Sequence, residues 1–242
     1  MIFESLSRKF QFKFKDRAAA ADILAESLKD RIKNKQEQQT AVVLGIPRAG
    51  VITADIIAKK LFTIFFDIVV PRKLTLAYNK EQAIGAIMED GTLYINKQLI
   101  NDFQVSSDYL ETGKLEQIQV AKHMRALYCR EPRKDFNSFV KDKTVILVDD
   151  GAATGATIIA ATRWIWKLES KPKRLIIAIP VATKCTVKLL QKECNAEVEV
   201  VISPSLSTFH SVEQYHQNFE QVTDAQVIRI MNDRDLLPSY AA

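Results

Sequence analysis

Apolar residues follow two different periods along this chain, and the two alternate. Short apolar runs rich in β-branched residues predict buried strands; they lie at 41–46, 62–70, 144–148, 175–182 and 196–203. Between these runs, apolar residues recur every three or four positions, which predicts helices at 16–35, 51–61, 158–168 and 183–193. Strands that alternate with helices predict an α/β fold, with a mostly parallel sheet flanked by helices.

Three segments interrupt this alternation. The polar run at 34–40 predicts a break after the first helix, and residues 72–82 are polar without a clear period. Two short strands, 83–90 and 92–96, are expected to be joined by the turn Asp90-Gly91.

Residues 97–135 predict a helical insertion with an internal start at Ser106 or Ser107. We expect it to be a surface excursion or a dimer contact, because its apolar stripe is thin: Val120, Met124, Leu127 and Tyr128.

The two ends of the chain predict smaller structures. Residues 1–15 alternate loosely, which is typical of an edge strand or an arm. Residues 203–242 contain two capping boxes, Ser211 with Gln214 and Thr223 with Gln226, each expected to open a short helix of a C-terminal hood. No internal repeat, low-complexity tract or linker is visible, so we interpret residues 1–242 as a single domain.

Composition narrows the class of protein. The residues are 47% hydrophobic and 26% charged, which is typical of a globular protein, and no apolar run reaches the roughly 18 residues of a membrane span. No secretory signal is visible, and three cysteines without metal spacing predict reduced core thiols: Cys129, Cys185 and Cys194. A net charge of +5 without a basic aromatic strand suits a small anionic ligand better than nucleic acid. We therefore expect a cytoplasmic protein that binds neither nucleic acid nor membrane.

The stretch 144–157, TVILVDDGAATGAT, combines a predicted strand, two acids and a small-residue turn before a helix. Ligands bind at this edge of open α/β sheets, and a helix N-terminus offers unpaired N–H groups to a phosphate. Asp149 and Asp150 would repel a phosphate, so they suit sugar hydroxyls or a divalent cation. The combination predicts a ribose 5-phosphate site; the alternative is an Asp pair that merely caps the helix.

Two further loops follow predicted strands. GIPRAG (45–50) joins the first core strand to a helix, and its glycines would let the backbone approach a ligand. Arg48 supplies a forked set of donors suited to phosphate oxygens. The alternative is a simple turn with a surface arginine, which would have the same sequence pattern. Arg72 and Lys73 follow the second strand.

These residues together resemble the type I phosphoribosyltransferases, in which the 144–157 pattern is the signature for phosphoribosyl diphosphate (PRPP). The resemblance extends over nearly the whole chain to a group of bacterial and archaeal phosphoribosyltransferases of about this length. It rests on FKDRAAAADILA, VVPRKL, EQAIGAI, TVILVDDGAATGAT, IAIPVA and the tail from Tyr215 to Asp224. The chain departs from the group at Ala49, where relatives have glycine, and at 75–80, where they often have Gly and Pro.

The resemblance implies a transferase of nucleotide metabolism that moves the 5-phosphoribosyl group of PRPP to a nitrogen acceptor, such as a nucleobase-like ring, and releases pyrophosphate. It implies that Mg²⁺ bridges pyrophosphate and ribose oxygens near Asp149 and Asp150. It assigns catalytic roles to Asp149, Asp150, Arg72 and Lys73, the last two on a long mobile loop that closes over PRPP. The implied pyrophosphate loop is Pro47, Arg48, Ala49 and Gly50. The implied 5-phosphate turn is Gly151, Ala152, Ala153, Thr154, Gly155, Ala156 and Thr157.

The residues that bind the acceptor are the part of the site that the sequence specifies least. Val181 and Ala182 end the strand beside the PRPP turn, while Phe209 and Tyr215 lie in the hood and could stack on a flat ring. Phe219 is a third such aromatic residue; all three could equally be core anchors. Two other functions stay open: a non-catalytic regulatory protein that binds PRPP or a nucleotide, and a phosphorolytic enzyme. The partners implied are PRPP, a small-molecule acceptor and a second copy in a homodimer.

Overall fold

The computed structural model describes residues 13–130, 133 and 135–236, and its centre is a five-stranded parallel sheet in the order β2-β1-β6-β7-β8. These strands are β1 (Val42–Gly45), β2 (Phe66–Ile68), β6 (Thr144–Val148), β7 (Arg174–Val181) and β8 (Glu197–Ile202). A second, antiparallel sheet has the order β3-β4-β5, formed by β3 (Arg72–Leu76), β4 (Asn79–Ile87) and β5 (Leu93–Ile95). The predicted α/β fold with a mostly parallel sheet is confirmed.

Nine α-helices connect these strands within the described ranges. They are α1 (Arg17–Arg31), α2 (Lys35–Thr40), α3 (Ala49–Lys60), α4 (Lys97–Asp102), α5 (Ser107–Tyr128), α6 (Phe136–Val140), α7 (Ala156–Lys167), α8 (Lys184–Glu193) and α9 (Asp224–Asp235). Two short 3₁₀ helices, Leu206–Thr208 and Glu213–Tyr215, lie in the C-terminal hood.

The two faces of the parallel sheet bury different sets of side chains, because successive residues of a strand point to opposite faces. On one face, Val43 and Ile146 pack with helices α1, α3 and α9. On the other face, Leu44 and Leu147 pack with α6, α7 and strand β4. Both faces are covered, as is usual for a parallel sheet. Its carboxyl edge therefore remains as the place where loops can form a site.

The local predictions were partly confirmed. Helix α1 ends at Arg31, so the predicted break after the first helix is present. The polar run also forms helix α2, which was not predicted, because the Asn34 side chain accepts hydrogen bonds from Gln36 N and Glu37 N and caps it. The capping box at Thr223 is present. The one at Ser211 is not: Gln214 accepts from His210 N and donates to Thr208 O instead.

The insertion is also more integrated than its sequence suggested. Helix α5 does begin after Ser106, whose side chain accepts from Tyr109 N. Its buried residues, however, are Ala121, Arg125 and Tyr128, while Leu127 is 42% exposed. The Arg125 guanidinium donates to Ile68 O and lies 3.8 Å from Asp67, so this helix is attached to the end of strand β2 by buried polar contacts.

The predictions for the two chain ends fall partly outside the described residues. Of the 1–15 segment, residues 1–12 lie outside them, while Phe14 forms a parallel bridge with His216. Residues 237–242 of the predicted hood lie outside as well.

The cysteine prediction was partly wrong. All three thiols are free; Cys129 and Cys194 are buried, but Cys185 is exposed at the start of α8.

Candidate functional site

A cavity of about 750 Å³ lies at the carboxyl edge of the parallel sheet. Three loops that are distant in sequence line it, namely 47–49, 71–73 and 149–157. They converge because β1, β2 and β6 are neighbouring parallel strands and end at the same edge. Of the residues predicted for the phosphate and pyrophosphate loops, Gly50 and Ala156 do not line the cavity, and the others do.

The turn from β6 into α7 depends on one glycine. Gly155 has φ of +73°, a conformation that residues with a Cβ rarely adopt, and it precedes the first residue of α7. The turn is also held from outside, because the Thr186 hydroxyl donates to Ala153 O at 2.6 Å. A preorganised turn of this kind presents N–H groups and the positive end of a helix to the cavity.

One part of the predicted phosphate turn has a different role. The Ala152 N–H donates to Val181 O at 2.8 Å, and Ala152 pairs with Ala182 as an isolated parallel bridge. This N–H extends the pairing of β6 with β7 and is not available to a ligand. The Ala156 N–H lies 3.5 Å from the Thr154 hydroxyl, a distance at which the hydrogen bond is weak.

The two acids differ in environment. Burial of the Asp149 carboxyl, followed by the neighbouring Asp150, raises the pKa of that carboxyl well above the usual value. The Asp149 Oδ1 atom accepts a hydrogen bond from Asp150 N at 2.9 Å, and Lys73 opposes the pKa shift as the nearby cation. The Asp150 side chain is 20% exposed, and its Oδ2 accepts from Arg17 Nε at 3.3 Å. Both acids line the cavity, Asp149 with a desolvated carboxyl and Asp150 with its carboxyl paired to Arg17.

The 45–50 loop is packed directly against the acids. A Cβ at Gly50 would lie 2.9 Å from Asp149 Cα and 2.9 Å from Val148 O, so glycine permits this contact. The peptide bond between Pro47 and Arg48 is cis. Arg48 is half-exposed, and its guanidinium lies 3.8 Å from Asp224. Ala49 does not have a positive φ, so its methyl group causes no backbone strain.

The prediction of an irregular loop at 72–82 was wrong. Arg72–Leu76 and Asn79–Ile87 pair as the antiparallel strands β3 and β4, with a register shift at Thr75. Leu74 and Leu76 are buried in a small core together with Ile84, Ile87 and residues of α4 and α5. The Tyr109 hydroxyl also donates to Thr75 O at 2.8 Å. The hairpin is thus attached to the insertion.

Arg72 reaches the cavity from this hairpin. Its Nε donates to Gln117 Oε1 at 3.3 Å, and Nη1 lies 3.3 Å from Met124 Sδ. Burial lowers the pKa of the Arg72 guanidinium, and Arg48 adds to that effect. Arg72 and Lys73 both line the cavity, close to the carboxyl end of β2.

Helix α5 and the first turn of α9 form a wall of the cavity that sequence reasoning missed. His123, Met124, Leu127 and Tyr128 line it from α5. The Tyr128 hydroxyl donates to Asp224 Oδ1 at 2.6 Å, and burial and this bond raise its pKa. The thin stripe on 97–135 was the available signal, but it gave no indication of a cavity.

A second wall comes from the two ends of the described chain, and it includes Phe219, one of the three hood aromatic residues suggested for the acceptor side. Arg17 lines the cavity from α1, and Val212, Phe219 and Gln221 line it from the hood. The Arg17 guanidinium lies over the Phe219 ring, 3.8 Å from its centroid. The N-cap signal at Asp16 predicted where α1 begins, but it did not show which residue the first turn presents to the site.

The four residues suggested for the acceptor do not line this cavity. Val181 and Ala182 are fully buried. Phe209 and Tyr215 stack on each other with centroids 6.0 Å apart, and Tyr215 belongs to a small core with Phe14. The positions of Phe209 and Tyr215 match the alternative interpretation, in which these aromatic residues are core anchors.

In the part of the chain that the structure describes, none of the helices has the length and apolar character to cross a membrane. Within the same described ranges, no cluster of three or more His, Cys, Asp or Glu side chains could hold a metal ion by itself.

Known proteins resemble this chain along most of its length. The phosphoribosyl transferase domain family matches residues 13–218. The crystal structure of TT1426 from Thermus thermophilus aligns with a TM-score of 0.71 and 33% identity, covering 92% of this chain and 99% of that one.

Two curated relatives come from Mycobacterium tuberculosis, strains H37Rv and CDC 1551. They are named "Putative phosphoribosyl transferase Rv0571c" and "Putative phosphoribosyl transferase MT0597". Each is 30% identical over 90% of this chain, and the match covers 46% of the relative, so the chain spans about half the length of these proteins. The family match, together with the fold and its edge cavity, shows that the chain belongs to the phosphoribosyl transferase domain family.

Proposed function

We propose that this chain is a Mg²⁺-dependent phosphoribosyltransferase that transfers the 5-phosphoribosyl group of PRPP to a nitrogen acceptor of the nucleobase type and releases pyrophosphate. The observation that carries the proposal is the cavity on which the 47–49, 71–73 and 149–157 loops converge. Together the loops contribute a helix N-terminus, a pair of carboxyls and three cations. These are the groups needed for a sugar phosphate that leaves a pyrophosphate.

In this proposal the turn before α7 holds the 5-phosphate. N–H groups of residues 153–157 and the hydroxyls of Thr154 and Thr157 would donate to phosphate oxygens. The Asp149 and Asp150 carboxyls would accept from the 2- and 3-hydroxyls and favour the positive charge that develops on the ribose ring. The direction of the Asp149 pKa shift supports this, because a desolvated carboxyl gains most from donors that arrive with a ligand.

The pyrophosphate would lie between Arg48, Arg72 and Lys73. Three cations around a leaving group neutralise the charge that it acquires as the bond to C1 breaks. Carboxylate and phosphate oxygens are the hard ligands that Mg²⁺ prefers, so Asp149 and Asp150 fit such an ion when PRPP supplies further oxygens. The ion would contribute charge neutralisation of the pyrophosphate.

Calorimetric titration of Mg²⁺-PRPP into the protein tests this binding site. We expect saturable binding to the wild type and a loss of at least about tenfold in Asp150→Asn, because hydrogen bonds to a charged group contribute about 1.5–3 kcal/mol. Asp142→Asn is the matched control, since Asp142 is exposed and lies before the opposite end of β6. Equal affinity in Asp150→Asn and the wild type would contradict the assignment.

Turnover is tested by pyrophosphate release from PRPP in the presence of a panel of purine and pyrimidine bases. Release that depends on one base, and is lost in Arg72→Ala, would support transfer. One observation favours the regulatory alternative. Catalysis is expected to use a mobile loop that closes over PRPP, whereas this segment forms the β3–β4 hairpin. PRPP binding without release across the panel would favour that alternative.

A further inference from the structure

Arg17 is the residue at which the N-terminal helix, the hood and the acidic pair meet. Its Nε donates to Asp150 Oδ2 at 3.3 Å. Its Nη1 donates to the backbone oxygen of Glu220, and its guanidinium carbon lies over the Phe219 ring, 3.8 Å from the centroid. Only 12% of the side chain is exposed. One side chain therefore contacts a carboxyl of the site and two consecutive residues of the hood.

The backbone around Arg17 holds it in this position. Asp16 caps α1 by accepting from Ala19 N, so Arg17 is the first helical residue. Just before it, Phe14 N donates to Tyr215 O, and Gln217 N donates back to Phe14 O. Asn218 N donates to Lys15 O in the same pattern. The start of α1 and the hood are thus joined by main-chain bonds, and the position of Arg17 does not depend on its side-chain contacts alone.

Asp150 needs such a partner because a second carboxyl lies beside it. The Asp149 carboxyl lies at the adjacent position, and its Oδ1 already accepts from Asp150 N. Two neighbouring carboxyls repel each other when both are charged. A guanidinium on one of them offsets that repulsion and fixes its rotamer. Because a carboxylate has about four lone-pair positions, the bond from Arg17 leaves capacity for a ligand hydroxyl.

We propose that Arg17 is a positioning residue for Asp150: it holds the carboxylate towards the diol of a bound ribose and connects that carboxylate to the hood. The inference rests on the proposed function, because it assigns the diol to Asp150. Arg17 then acts on the ribose through Asp150 and makes no contact with the pyrophosphate, which lies towards Arg48, Arg72 and Lys73.

Two ligands separate this role from a general effect on the site. Ribose 5-phosphate carries the diol, whereas pyrophosphate does not, and both are titrated with Mg²⁺ by calorimetry. We expect Arg17→Gln to weaken ribose 5-phosphate at least about tenfold, the effect of losing one charge-assisted bond, and to change pyrophosphate binding less than about twofold. Arg17→Lys keeps the charge but not the forked geometry, so we expect an intermediate loss.

Lys15→Gln is the matched control, because it removes the same charge from an exposed position two residues away and should change neither affinity. In an Asp150→Asn background, Arg17→Gln should have no further effect on ribose 5-phosphate, since the partner through which it acts is gone.

Three results would overturn the inference. Unchanged or tighter binding of ribose 5-phosphate to Arg17→Gln would show that Arg17 is dispensable or blocks the site. Equal weakening of both ligands in Arg17→Gln and Arg17→Lys would show a purely structural role. Wild-type protein that binds pyrophosphate but not ribose 5-phosphate would instead refute the proposed function, and the inference with it.

Discussion

Replacement of Gly50 by alanine tests how closely the 45–50 loop is packed on the acidic pair. The added Cβ would lie 2.9 Å from Asp149 Cα and 2.9 Å from Val148 O, closer than real Cβ atoms come to backbone. Both contacts are with main chain of the central strand and its first loop residue, so neither can rotate away. Overpacking of this kind costs about 1–3 kcal/mol. Gly50 lies in the first turn of α3, where alanine would return roughly 0.5–1 kcal/mol of helix propensity.

The net expectation is a destabilisation of about 0–2.5 kcal/mol, centred near 1 kcal/mol, and each kcal/mol lowers the midpoint of thermal unfolding by roughly 2–4 °C for a chain of this size. Circular dichroism melts measure it. Gly113→Ala is the matched control, because Gly113 is also helical and its Cβ would meet only Leu74 Cδ2 at 3.8 Å. We expect that variant to be stabilised by up to about 1 kcal/mol. If Gly50→Ala melts as high as Gly113→Ala, the close approach of the two loops is not a feature of the protein in solution.

Three further outcomes follow from the titratable groups. Burial raises the pKa of Asp149, so stability is lost as pH rises from the ordinary pKa near 3.8 through the pKa in the folded state. Asp149→Asn should therefore have a higher melting temperature than the wild type at pH 8, and the difference should disappear towards pH 4. The hydrogen bond from Arg174 lowers the pKa of Glu197 to about 2, so the contribution of Glu197 to stability is present above pH 4.5 and lost towards pH 2. Glu197→Gln should therefore have a lower melting temperature than the wild type only at the higher pH. A thiol reagent should modify one cysteine of the folded protein, Cys185, and all three after denaturation; rapid reaction of three thiols in the folded state would contradict the burial of the other two.

Much of the fold could be predicted because its signals are local. The five residues of Thr144–Val148 are all buried, as expected for a central parallel strand with both faces covered. The glycines at 45, 50, 151 and 155 indicated loops at the carboxyl ends of β1 and β6, and both loops line the cavity. Topology then brings such loops together without further information from the sequence.

The β3–β4 hairpin shows where local reasoning fails. Leu74 and Leu76 are buried and alternate with less buried neighbours, which is a strand period. Over five residues that period is too short to outweigh polar surroundings. What makes the segment a strand is its pairing with β4 and its packing on α5, and α5 begins 31 residues after Leu76.

The walls of the cavity lay beyond prediction for the same reason. Tyr128 meets Asp224 across 96 positions, and Arg17 meets Asp150 across 133. No local period or motif specifies such a pair, because each partner is an ordinary residue of its own helix or loop.

The sequence by itself determined the order of the five parallel strands along the chain and the residue types of the three loops, since hydrophobic period and glycine placement act over a few residues. Only the tertiary structure decided which groups share the cavity, which N–H of the turn is already bonded, and which hood residues are buried as core. Those properties depend on distances between segments that are remote in the chain, and such distances exist only once both faces of the parallel sheet are packed.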